Sequence, residues 1–94
     1  MTYNWNDDKN SLLKKQRGLS FEEIVVAILN NQILDVLEHP DRQKYPNQKL
    51  YIVEYQGYAY VVPYVEKEGE IFLKTIYPSR KYTKRYLGLE TEHE

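Results

Sequence analysis

Lys49–Val65 reads KLYIVEYQGYAYVVPYV. Its two runs, Lys49–Tyr55 and Tyr58–Val65, are rich in Tyr, Val and Ile, residues whose branched or flat side chains suit a pleated, half-buried surface. The Gln56-Gly57 pair between them predicts a tight β-hairpin. Pro63 has no backbone N–H, so its place in the second run must lack a ladder donor. A bulge or an outward-facing edge site is expected there. A second turn at Lys67–Gly69 leads into a third run, Ile71–Ile76, and three strands joined by short turns predict an antiparallel meander.

Upstream, the sequence changes period. Tyr3–Trp5 is a short apolar segment, after which Asn6 or Asp7 caps a helix over residues 7–17. Its acids come first, its bases Lys14, Lys15 and Arg17 come last, and Gly18 stops it, an order that complements the helix dipole. Ser20-Phe21-Glu22-Glu23 fits a capping box, in which the serine hydroxyl and a glutamate carboxylate each satisfy a free backbone donor. Phe21, Ile24, Val25, Ile28 and Leu29 follow with helical spacing. Leu34–Glu38 alternates like a strand. His39–Gln48, with two prolines, reads as a loop and as the place where flexibility is expected. After Pro78, Ser79 caps a short helix, Arg80–Leu87, that ends at Gly88. Residues 1–88 are expected to form one domain, and the acidic tail 89–94, LETEHE, is expected to fray and be flexible.

Ninety-four residues hold one small core and no second domain. The absence of cysteine excludes disulfides and thiolate zinc sites and is compatible with a reducing, cytoplasmic location. The start, MTYNWNDDKN, lacks the apolar core of a secretion signal, and the longest apolar run, Ile24–Leu29, is far too short to span a bilayer, so no membrane association is expected. His39 and His93 form no ligand-spaced pair, and the four glycines are scattered rather than gathered in a phosphate loop, which disfavours a metal, a cofactor or nucleotide-driven chemistry. Glu66, Glu68 and Glu70 flank a turn and read as a solvated loop. Tyrosine supplies ten of thirteen aromatic residues. Because a buried phenol needs a partner for its hydroxyl, many of these rings should sit half exposed.

Charge is segregated. Lys74, Arg80, Lys81, Lys84 and Arg85 carry +5 between Ile71 and Gly88 with no acid among them, so the rest of the chain sums to −6 for a net −1. A local positive field of this kind is hidden by the total. Tyr77, Tyr82 and Tyr86 lie among these bases, and cations interleaved with aromatics suit a phosphodiester backbone and its bases, RNA above all. On this ground Lys74, Lys84, Arg85, Tyr82 and Tyr86 are candidate RNA contacts. Metal-free RNA cleavage needs help in deprotonating the 2′-hydroxyl, cations to stabilise the phosphorane and a means of neutralising the leaving 5′-oxygen. Arg and Lys supply the charge, and Tyr or His can share the proton transfers. The alternative is that a basic terminal helix is only a solvated face.

Three pieces in order resemble a known family. Tyr3-Asn4-Trp5 with Asp7, Asp8, Lys9 and Asn10, then Gly18-Leu19-Ser20-Phe21-Glu22-Glu23, then Lys74-Thr75-Ile76-Tyr77-Pro78-Ser79-Arg80-Lys81, together resemble the BrnT-type toxins of bacterial type II toxin–antitoxin systems, in the RelE/ParE-like group. The middle loop and the Tyr77-Pro78 pair depart from the family pattern. The resemblance implies a RelE-like α+β fold, with two N-terminal helices packed on an antiparallel β-sheet meander and a short C-terminal basic helix. It implies a cofactor-free, metal-independent endoribonuclease that cleaves mRNA, independently of the ribosome or on it, and so inhibits translation. It also implies a cognate ribbon-helix-helix antitoxin, through which alone the complex meets operator DNA. By position, Arg80 would stabilise the transition state, Lys74 and Lys81 would contact phosphate with Lys81 inside the catalytic group, and Tyr77 would serve proton transfer. The alternative function is a non-catalytic, toxin-like module that binds nucleic acid or the antitoxin through the same face.

Overall fold

The computed structural model describes residues 1–88. The acidic tail 89–94 and His93 lie outside the described residues. The elements are β1 (Thr2–Asn4), α1 (Asp7–Arg17), α2 (Phe21–Leu29), β2 (Ile33–Glu38), β3 (Gln48–Tyr55), β4 (Tyr58–Lys67), β5 (Glu70–Leu73), β6 (Tyr77–Pro78) and α3 (Arg80–Leu87). The described residues form an α+β fold, with three helices and a mixed six-stranded sheet.

Both expected turns are present. Gln56 and Gly57 have φ of 54° and 78°, and Glu68 and Gly69 have 53° and 82°, the paired left-handed geometry that matches the twist of a two-residue hairpin. β3 and β4 pair in unbroken register from Gln48↔Val65 to Tyr55↔Tyr58, with no bulge at Pro63. The proline is instead accommodated by a gap on the other side of β4. There β5 pairs with Tyr64–Lys67 and β6 with Tyr60 and Val61, leaving Pro63 opposite the interruption, where its carbonyl accepts the Lys74 N–H at 2.8 Å. The third run therefore breaks after Leu73. Lys74 lies in the gap, and Tyr77 lies in a strand.

The sheet order is β1-β5-β4-β3-β2, with β6 on β4. The expected purely antiparallel sheet is corrected by β1, which pairs with β5 in parallel, Tyr3 opposite Ile71. A three-residue strand with a single inward side chain carries no local mark of a partner so distant in sequence. A bulge does occur, between Ile33 and Asp35 on β2.

Alternation along the strands divides the core. Tyr51, Val53, Val62, Tyr64, Ile71 and Leu73 face α1 and α2, which contribute Leu13, Phe21, Ile24 and Ile28. Leu50, Ile52, Ala59 and Val61 face the other way and are covered by Tyr82 and Tyr86 of α3. Seven of the ten tyrosines are half-buried, as a sheet of amphipathic rings requires, while Tyr51 and Tyr64 are buried and stack at 4.0 Å between centroids.

The N-terminal caps hold as expected. Asn6 Oδ1 accepts the Lys9 N–H, and Gly18 closes α1 at φ 64°. Ser20 Oγ accepts the Glu23 N–H at 3.1 Å, while Glu23 Oε1 accepts the Ser20 N–H at 2.9 Å. Glu23 Oε2 also accepts the Tyr55 hydroxyl at 2.8 Å, anchoring the cap to β3. Asn10, buried on α1, donates to Glu22 and accepts the Phe21 N–H at 2.8 Å, satisfying another donor that a helix start leaves free. The Tyr55 hydroxyl above all, with the Ser20 bonds, holds the Glu23 carboxyl below its ordinary value of 4.5, and the Asn10 amide does the same for Glu22. A carboxyl depressed on folding contributes stability above its unfolded value that disappears as pH falls through the folded one. Thermal stability should therefore drop as pH is lowered below about 4.5, and Glu23→Gln should drop less steeply. A variant melting with the wild-type acid dependence would show that Glu23 is not engaged in this way.

The loop from His39 to Gln48 carries local bonds. His39 Nδ1 accepts the Asp41 N–H, Asp41 Oδ1 accepts the Lys44 N–H, and the His39 and Tyr45 rings lie 4.4 Å apart. Among the described residues no helix is long and apolar enough to cross a membrane.

Candidate nucleic-acid interface

α3 begins at Ser79, whose Oγ accepts the Tyr82 N–H at 3.1 Å, and ends at Gly88 with φ 67°. One buried hydroxyl fixes it to the sheet. Thr83 Oγ1 accepts the Ala59 N–H at 2.8 Å and donates to the Ser79 carbonyl at 2.7 Å, while the Ser79 N–H bonds the Ala59 carbonyl at 2.9 Å. Both backbone groups of Ala59, at the hairpin end of β4, are thus satisfied by Ser79 and Thr83. Thr83→Val keeps the shape but strands the Ala59 N–H, so a stability loss of about 1–3 kcal/mol is expected in urea unfolding, with Thr83→Ser close to wild type. A Thr83→Val protein as stable as the parent would mean that this contact does not hold the helix.

At about 100° per residue, Arg80, Lys81, Lys84 and Arg85 occupy one outward arc of α3, opposite Thr83 and Tyr86. All four are exposed, and α3 contains no acid. Local physics opposes the arrangement. Arg80 and Lys81 stand in the first turn, where the helix dipole favours anions, and the pairs 80/84 and 81/85 set like charges one turn apart. Lys74 also lies exposed, its Nζ 5.3 Å from the Phe72 ring centroid.

The tyrosines differ from one another. Tyr82 is half-buried, resting on the small core of β3 and β4, with Lys81 Nζ 5.1 Å and Arg85 Cζ 5.6 Å from its ring centroid. Tyr86 rests on the same core, and its hydroxyl donates to Asp35 Oδ2 at 2.5 Å. Both rings are half-buried, with one side resting on this core. Tyr77 pairs with Val61 and so emerges on the α3 face of the sheet, beside Tyr82. Burial, with Tyr82 nearby, pushes its phenol above the ordinary value of 10, so it keeps its proton at neutral pH and is a donor rather than a base.

Asp35 is the functional neighbour that sequence inspection passed over. The Tyr86 hydroxyl first, then the Val36 N–H and the charge of Arg85, hold its carboxyl below the ordinary 3.8. It is therefore ionised and engaged. Thr83 was likewise missed, although its position four residues after Ser79 marks the inner face of the helix. Phe72 was counted only as part of a strand. Among the described residues no three His, Cys, Asp or Glu side chains gather at metal-binding spacing. The structure thus brings Lys74, Tyr77, Tyr82 and the α3 bases to one side of the sheet, with Arg80, Lys81, Lys84 and Arg85 turned outward and Tyr86 turned inward. Comparison with protein-family models, curated proteins and solved structures finds no match to this chain.

Proposed function

We propose that this protein is a toxin of the BrnT type within the RelE-like group, acting on mRNA through the outer face of α3. The observation that carries the proposal is the exposed cation arc on an acid-free helix, in which Arg80 and Lys81 stand against the helix dipole and the 80/84 and 81/85 pairs repel, while Lys84 and Arg85 suit the last turn. A bound phosphodiester would reverse the sign of both effects, and such contacts are the usual basis of nucleic-acid affinity. In this mechanism Arg80, at the first turn of α3, offsets charge developing on the phosphorane, and Lys74 and Lys81 hold the neighbouring phosphate oxygens. As the 2′-oxygen bonds to phosphorus and the bond to the 5′-oxygen breaks, water takes the 2′-hydroxyl proton and the Tyr77 phenol, protonated at neutral pH, donates to the leaving 5′-oxygen. The cognate partner is a ribbon-helix-helix antitoxin that covers the basic face.

A second function is favoured by one observation. Asp35, a carboxylate at this face, is occupied by Tyr86, and Tyr77 retains its proton, so neither is a ready general base for the 2′-hydroxyl. A module that binds RNA without cutting it fits that geometry. Incubating a defined mRNA with the purified protein in EDTA, with and without translating ribosomes, separates the two. Fragments in either setting support the nuclease; salt-sensitive binding of RNA that stays intact supports the module; and neither binding nor cleavage by folded protein removes both.

A further inference from the structure

On the sheet face that carries α3, the helix covers the Ala59–Val61 end of β4 and leaves the far end open. Phe72 and Tyr77 emerge there, 36% and 39% exposed. Phe72 pairs with Val65 and Tyr77 with Val61, positions of equal parity on β4, so both rings stand on the same face of the sheet. Four residues of strand separate those partners, a distance of about 13 Å. Lys74 lies between the two aromatics in the chain and holds its ammonium over the Phe72 ring, on the same face. In β5 the residues flanking Phe72, Ile71 and Leu73, are buried in the opposite core, so Phe72 stands outside that core as a partly exposed ring on the other face of the sheet.

We propose that Phe72 and Tyr77 form a base-stacking strip for single-stranded RNA, continuous with the phosphate-binding arc of α3. The inference rests on the RNA-directed function proposed above and names the form of RNA it takes. Charge favours this occupant, since the rings are bordered by Lys74, by Lys67 and by the acid-free basic helix, and the carboxylate on the same face of β5, Glu70, is engaged by the Asn4 amide at 3.4 Å and paired across the strands with Lys67. Tyr82 and Tyr86 are half-buried against the small core, whereas Phe72 and Tyr77 are the more exposed rings of this face. A duplex, whose bases are stacked on one another, offers such a strip nothing beyond its phosphates.

Fluorescence-anisotropy titration of the full chain with a labelled 2′-O-methyl single strand, and with the duplex of the same sequence, tests the strip without cleavage. Phe72→Leu is expected to weaken single-strand binding about tenfold or more, to leave duplex binding and the thermal midpoint unchanged, and to preserve the salt dependence set by the cations. Arg80→Ala should weaken both forms. Unchanged single-strand affinity in Phe72→Leu, or an equal loss for duplex and single strand, overturns the strip while leaving the basic face intact. Absence of binding to either form by the wild-type protein overturns the RNA-directed function, and the strip with it.

Discussion

Replacing Arg80 by alanine is expected to lower the rate of RNA cleavage by about 10²–10³-fold while leaving the protein as stable as before or slightly more so. The two halves of this result have a common origin. Arg80 is exposed at the first position of α3, where its charge opposes the helix dipole and faces Lys84 one turn on. Removing it should relieve roughly 0.3–1 kcal/mol of unfavourable dipole interaction and about 0.2–0.5 kcal/mol of like-charge repulsion. In the transition state the same guanidinium would face charge developing on phosphorus-bound oxygens, and the loss of one such preorganised donor usually costs two to three orders of magnitude. Arg80→Lys separates charge from shape, because an ammonium keeps the positive charge but loses the planar fork that engages two oxygens at once, so an intermediate rate is expected. Single-turnover cleavage of a short RNA and urea unfolding on the same preparations provide both readings. Cleavage at the wild-type rate by Arg80→Ala would remove the residue from the mechanism, and a substantial loss of stability would show that its charge is paired in the folded protein.

The sequence marks those features whose physics is local. Gln56-Gly57 and Glu68-Gly69 set their turns because successive positive φ values favour glycine and a small set of partners. Ser20 and Glu23 set the start of α2 because a capping box needs only two side chains three residues apart. The basic arc of α3 was equally legible, because helical period alone turns residues 80, 81, 84 and 85 to one side. What was not legible depends on partners distant in the chain. The parallel pairing of Tyr3 with Ile71 leaves no mark on either segment. Asp35 reads as one acid in an alternating strand, and only the docking of α3 across the sheet brings the Tyr86 hydroxyl to it. The same docking rests one side of Tyr82 and Tyr86 on the sheet, which their place among the bases does not reveal. Conversely, Phe72 was passed over because strand periodicity says that a side chain alternates but not which face a later helix will leave open. Pro63 lies between these cases. Its missing donor was predictable, whereas the accommodation, a break between β5 and β6 rather than a bulge, required the far edge of β4.

The largest expected loss of stability is that of Phe21→Ala, about 3–5 kcal/mol. Phe21 is fully buried at the first position of α2, stacked on Trp5 with centroids 5.7 Å apart and planes 20° from parallel. It stands where three constraints meet. Its side chain joins Ile24 and Ile28 in the core against β3 and β4, its ring meets the segment between β1 and α1, and its backbone N–H is held by the buried Asn10 of α1. Truncation removes an aromatic side chain from the contact between both N-terminal helices and the sheet, and the cavity cannot collapse without disturbing the capping box beside it. A domain of this size typically has about 5–15 kcal/mol of stability in all, so the variant should unfold at a much lower urea concentration, displaced by roughly 1–3 M for an ordinary slope. Phe21→Leu, which keeps most of the volume, should lose less. Phe72→Leu, the same exchange on the open face, should stay within about 0.5 kcal/mol of wild type. The comparison matters because the chain has only two phenylalanines, and the fold assigns them opposite tasks from opposite faces of the sheet. If Phe21→Ala unfolds within about 1 kcal/mol of the parent, α2 is not seated on the sheet as described. If Phe72→Leu is the costly exchange instead, the open face is covered by something that contributes to folding, and its assignment to a ligand fails.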